Sequence, residues 1–126
     1  MRAVNAETLF IAGAALFIGA CDNGMVFDRE KWKKLTSDKS IDAIILTFTK
    51  QPNLTRNPKA WGWVVNDDGV VQSISVKVPV SDDPFNDHAV VGSFWFRTGQ
   101  VFVDAAEQMI ATNKRTNNEF YVDSVP

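Results

Sequence analysis

The sequence predicts an α/β fold, a mixed and mostly parallel sheet with flanking helices. Three observations lead there. Residues 14–20 and 41–48 are apolar on both faces, as strands covered from above and below must be. The segments run strand, helix, strand, hairpin, strand, helix, an order that builds layered α/β structures. A chain of 126 residues with 45% hydrophobic content is long enough for one core.

Each element has its own signal. The first strand, residues 14–20, runs into Asp22-Asn23-Gly24, which favours a tight turn. Asp28 can cap a helix reaching Ser37, with Glu30 and Lys34 four apart and Trp32 and Leu35 inward. Residues 41–48 are β-branched and almost wholly apolar, which predicts a second interior strand. Two prolines and several polar turn-formers make residues 51–59 a loop, with room for one helical turn after Asn57. Residues 61–65 and 70–76 flank Asp68-Gly69, the strongest short-range hairpin signal. Residues 81–87 form an acidic loop. Residues 90–96 are another strand, whose internal Gly92 suggests a close backbone approach or a bulge. Last comes the clearest helix, residues 100–112, with Phe102, Ala105, Ala106, Met109 and Ile110 as its apolar stripe.

Composition narrows the partners. A formal charge of -2, from 13 basic and 15 acidic residues, gives no basic face for nucleic acid. Cys21 is the single cysteine, so no internal disulfide forms, and a reducing, cytoplasmic compartment fits. The apolar stretch 9–20 ending at Cys21 also has the outline of a bacterial lipoprotein signal. Glu7 and the lone basic Arg2 argue against that, and the stretch is too short to span a bilayer, so no membrane association is expected. Residues 1–13 read as a leader or replacement segment before the domain at 14–126.

Four positions are candidates for chemistry by residue type, and the resemblance below adds Gly62 as a fifth. Asp22, at the carboxyl end of a strand, lies where open α/β sheets bind ligands, and a carboxylate there can hold Mg²⁺ together with phosphate oxygens. Residue chemistry alone equally fits an ordinary turn. Lys77 ends the hairpin, where an ammonium can meet a phosphate or simply be solvated. Gly92, inside a strand, leaves backbone groups accessible or simply marks a bulge. Glu119 can accept hydrogen bonds from two neighbouring hydroxyls. His88 has no histidine or cysteine near it in sequence, which argues against zinc.

Taken in order, these segments resemble the sugar-phosphate nucleotidyltransferases, which join a nucleotide to a sugar 1-phosphate. Ile18-Gly19-Ala20-Cys21-Asp22-Asn23-Gly24 resembles the family's strand ending in an Asp-Asn turn, whose aspartate binds metal; Asp22 matches it. Trp61-Gly62-Trp63-Val64 is similar to the family's Tyr-Gly-x-Val hairpin, in which the glycine backbone approaches the sugar. Ser75-Val76-Lys77-Val78-Pro79 resembles its Glu-Lys-Pro element, with a valine separating lysine and proline. Val91-Gly92-Ser93-Phe94-Trp95-Phe96 resembles the strand that offers a glycine amide to the sugar. Asn118-Glu119-Phe120-Tyr121 is similar to the element whose glutamate reads sugar hydroxyls.

The resemblance implies a truncated, Rossmann-like nucleotidyltransferase domain that keeps the sugar-phosphate side. The family's glycine-rich nucleotide loop and its later metal-binding aspartate have no counterpart here. Weakly held Mg²⁺, a sugar 1-phosphate or nucleotide-sugar ligand and no independent catalysis are the expectations. The alternative is a non-enzymatic interaction protein, a homo-oligomer formed through an exposed sheet edge.

Overall fold

The computed structural model describes residues 13–22, 24–116, 118–119 and 121–122. The leader expected at residues 1–13, and with it the lipoprotein reading, lies outside these residues apart from Gly13 and the end of the apolar stretch. In chain order the elements are β1 (Leu16–Ile18), α1 (Arg29–Ser37), β2 (Ala43–Phe48), α2 (Pro52–Arg56), a 3₁₀ turn (Pro58–Ala60), β3 (Gly62–Asp67), β4 (Val70–Val76), β5 (His88–Phe96) and α3 (Gly99–Ala111).

The last strand is the centre of the sheet. β5 pairs along one edge with β2, from Ala43↔Phe96 to Phe48↔Ala89. Its other edge is shared between two strands. β1 takes the C-terminal half, with Leu16↔Phe96, Phe17↔Trp95 and Ile18↔Phe94. β3 takes the N-terminal end, with Trp63↔Ala89 and Val64↔His88, and carries β4 beyond it.

Every one of these pairings is antiparallel. The mostly parallel, Rossmann-like sheet expected from the sequence is therefore not what forms. β1 and β2 do run in the same direction, as a helical connection requires, but β5 lies between them and opposes both. Nor are β1 and β2 interior strands: among the described residues each pairs along one edge only. Their apolar runs report covered faces, because helices pack on both sides of the sheet. Such a run carries no information about strand neighbours or direction.

Side-chain alternation along β5 divides the core. Val90, Phe94 and Phe96 face α3, where Met109 joins them in one buried cluster with Val64. Phe102, Ala105 and Ala106 pack against it as the helical stripe predicts, while Ile110 stays 57% exposed. The opposite face carries Trp95, against which Trp32 of α1 sits edge-on at 6.1 Å from Phe17 and 6.4 Å from Trp95. On that same face Leu54 of α2 buries fully with Trp63 and Ala89, and Phe48 and Trp61 pack beside them.

Local chemistry sets the element ends. Asp28 caps α1 by accepting from the amides of Glu30 (2.9 Å) and Lys31 (3.0 Å). Glu30 pairs with Lys33 at 3.1 Å, three residues on, rather than with Lys34. The β3–β4 hairpin turns through Asp68 (φ 48°) and Gly69 (φ 83°), the two left-handed residues of a type I′ turn. Residues 52–56, expected as loop, form a short helix opened by Pro52 at its first turn. Arg97 fastens the α1–β2 connection to the end of β5: its guanidinium donates to the carbonyls of Asp38 and Ile41 and lies 5.3 Å from the Trp95 ring centre. Asp38 accepts from the Ser40 hydroxyl and amide, and these bonds, with Arg97 nearby, hold its carboxyl below the usual carboxylate range.

Gly92 is where β5 changes partner. Its φ of 89° is open to glycine and rarely to any residue with a side chain. The pairing with β2 slips there too: one residue separates Ile45 from Thr47, while three separate Phe94 from Val90. This is a bulge in β5. A Cβ at Gly92 would lie 3.1 Å from the Cβ of Ala20, so the close approach expected of this glycine is to the chain leaving β1. Gly92→Ala is expected to cost about 1–3 kcal/mol, from backbone strain and crowding together. Gly24→Ala, with nothing within 4 Å of its added carbon, should cost less than about 0.5 kcal/mol. Urea unfolding midpoints of the two variants would check this, and equal midpoints would contradict the bulge.

Candidate functional site

The end of β1 and the start of β3 come to β5 from the same side, and four of the five candidate positions lie around that junction. Ala20 reaches the level of Gly92, and Asp22 follows in an exposed bend two residues on. Gly62, buried, opens β3; the register Trp63↔Ala89 puts it beside Val90, two residues from Gly92. Lys77 follows β4 directly opposite, and its amide donates to the carbonyl of Trp61 at 3.0 Å.

Lys77 has φ 69°, an unfavourable backbone conformation for a lysine. Its ammonium is 3.5 Å from the carbonyl of Ala60 and 5.5 Å from the centre of the Tyr121 ring. The second contact is a cation–π pair, worth roughly 0.5–1 kcal/mol at an exposed site. The Tyr121 hydroxyl in turn donates to Glu119 Oε2 at 2.8 Å. Glu119 is itself held by a reciprocal backbone pair with Thr116, at 2.9 and 3.0 Å. Lys77 and Glu119, separated by 42 positions in the chain, therefore share one tyrosine. That places a cation suited to a phosphate near a carboxylate suited to hydroxyls.

Asp22 stands apart from that pair. Among the described residues no hydrogen bond or ion pair joins its carboxylate to Lys77 or Glu119. Among the described residues, too, no group of three His, Cys, Asp or Glu side chains could hold a metal ion. Mg²⁺ prefers about six oxygens and commonly takes only one or two from protein carboxylates. Asp22 alone fits such a cation only where phosphate and water oxygens complete its shell.

Tyr121 is the residue that sequence reasoning missed in the role of link. It lay inside the quoted Asn118–Tyr121 element, and its spacing from Glu119 was the available signal. Two buried polar atoms were also missed. Ser93 is fully buried, and among the described residues neither its Oγ nor the Nε1 of Trp61 has a hydrogen-bond partner. The signal for Ser93 was a hydroxyl inside an otherwise apolar strand.

No family model matches the chain, and no curated protein matches it. Among the described residues no helix is long and apolar enough to cross a membrane.

An unpaired buried hydroxyl is a cost with no return in stability. Ser93→Ala should leave thermal stability unchanged or raise it. A loss above about 1 kcal/mol in thermal or urea unfolding would show that the hydroxyl has a structural partner.

Proposed function

We propose that this chain binds a sugar 1-phosphate or nucleotide-sugar, as a relative of the sugar-phosphate nucleotidyltransferases that does not transfer a nucleotidyl group by itself. One observation carries the reading: Lys77 and Glu119, matched by the resemblance to phosphate and to sugar hydroxyls, are joined through Tyr121. A second supports it. Lys77 holds a left-handed backbone conformation directly after β4, and such strain clusters where function requires it. In this reading the ammonium takes the phosphate, Glu119 takes two neighbouring hydroxyls, and Gly62 and Gly92 let the sugar approach the backbone. Asp22 shares a weakly held Mg²⁺ with the phosphate. Transfer also needs charge neutralisation on the nucleotide side, for which this cluster supplies no groups. A cytoplasmic location belongs to the same proposal, since the free, exposed thiol of Cys21 suits a reducing compartment.

Calorimetry with glucose, mannose and N-acetylglucosamine 1-phosphates tests it. Lys77→Ala and Glu119→Gln should each weaken binding about tenfold, or 1.4 kcal/mol. Unchanged affinity in both would overturn the assignments, and turnover of nucleoside triphosphate by the isolated chain would overturn the non-catalytic reading.

A second reading, a self-associating interaction protein, is favoured by the sheet edges. β2 is wholly apolar but for Thr47, and its outer edge has no partner strand among the described residues. An open groove of about 700 Å³ runs beside it, between α1 and the β3–β4 hairpin. Exposed edges of this kind pair readily with another strand. Light scattering over a concentration series should then show a dimer or larger species; a monomer at every concentration would exclude it.

A further inference from the structure

Three strands, β1, β2 and β4, have an edge with no partner strand among the described residues. Two of those edges are blunted in ways that discourage pairing. β1 is only three residues long, and β4 carries a bulge against β3 together with Gln72, Ser73 and Ser75. β2 has no such device. Its six residues, Ala-Ile-Ile-Leu-Thr-Phe, include no charge, proline or glycine. Its backbone also runs regularly, since the bulge in its pairing belongs to β5. Beside it, Val70 and Val71 line the groove opposite Trp32 and Leu35, and they are 64% and 42% exposed.

The two ends of β2 carry opposite charges. Asp42 directly precedes the strand, and Lys50 follows Phe48 by two residues. Both are exposed; the Asp42 side chain is 73% exposed and lies 3.9 Å from Arg97. A second β2 laid antiparallel along this edge can bring each Asp42 against the other copy's Lys50. A parallel one in the same alignment would set like charges together, which is unfavourable. The antiparallel register that matches the charges also places Leu46 opposite its own copy and Ile44 opposite Phe48. Positions 42, 44, 46, 48 and 50 all share one parity, as cross-strand partners on one face of a sheet must.

We propose that two copies of this chain pair β2 with β2, antiparallel and centred on Leu46, with an Asp42–Lys50 ion pair at each end. The two five-stranded sheets then become one. Such an interface is isologous and closes on itself as a dimer. The proposal rests on the self-association reading above and names the surface and register through which it occurs.

Sedimentation velocity of the full chain over a concentration series tests it with charge reversals at the two exposed ends. Asp42→Lys puts like charges together at both ends and should weaken the dimer about tenfold. Lys50→Asp should do the same. The double variant restores opposite charges in the antiparallel register, and its dimer should regain the affinity of the parent. A parent dimer that neither single reversal weakens, or that the double variant fails to recover, would overturn the β2 pairing and leave self-association standing. A parent that stays monomeric at every concentration would overturn both.

Discussion

The left-handed turn of the backbone at Gly92 is the constraint on which the sheet and the candidate site both depend. It divides β5 into a half that pairs with β1 and an end that pairs with β3, and it absorbs two extra residues against β2. A residue with a side chain rarely takes that φ, and here its Cβ would also lie 3.1 Å from the Cβ of Ala20, in the segment leaving β1. The junction thus created is where Ala20, Gly62 and Trp61 gather, and Lys77 is tied to it by a backbone hydrogen bond. Packing then locks β5 in place. Phe94 and Phe96 anchor one face against α3, and Trp95 anchors the other against α1.

Local signals in the sequence were legible wherever one short stretch decided the outcome. Asp68-Gly69 made its hairpin because both positions need positive φ, and Asp28 capped its helix because its carboxylate reaches two free amides. The α3 stripe found its core except at Ile110, which lies beyond the reach of the sheet. Strand order was not legible. Two apolar runs joined by a helix suggest parallel neighbours, and nothing in either run says that the strand beginning at His88, 70 residues past Ile18 and 40 past Phe48, will enter between them. Long-range pairing depends on whole-chain packing, which a local pattern does not encode.

The site was legible in part for a related reason. Gly92 was marked as a glycine inside a strand, Lys77 as a cation at a strand end and Glu119 as a carboxylate beyond the last helix, and their neighbours are now on view: Ala20 for the first, Tyr121 for the other two. Asp22 was marked just as plainly, yet among the described residues no hydrogen bond or ion pair joins it to that pair. Partnership itself is invisible in one sequence. The spacing of Tyr121 from Glu119 and the hydroxyl of Ser93 in an apolar strand were visible, but the contact of Tyr121 with Lys77, and the lack of a partner among the described residues for Ser93 Oγ and Trp61 Nε1, are defined by what surrounds each group.

The central claim is the position of β5 between β1 and β2, and cross-strand NMR contacts test it most directly. Trp95 should show backbone proton contacts to Phe17 on one side and to Ile44 on the other, in the pattern of two antiparallel ladders. Contacts running directly from Phe17 to Ile44, in the evenly slanted pattern of a parallel pair, would remove β5 from the centre and contradict the account.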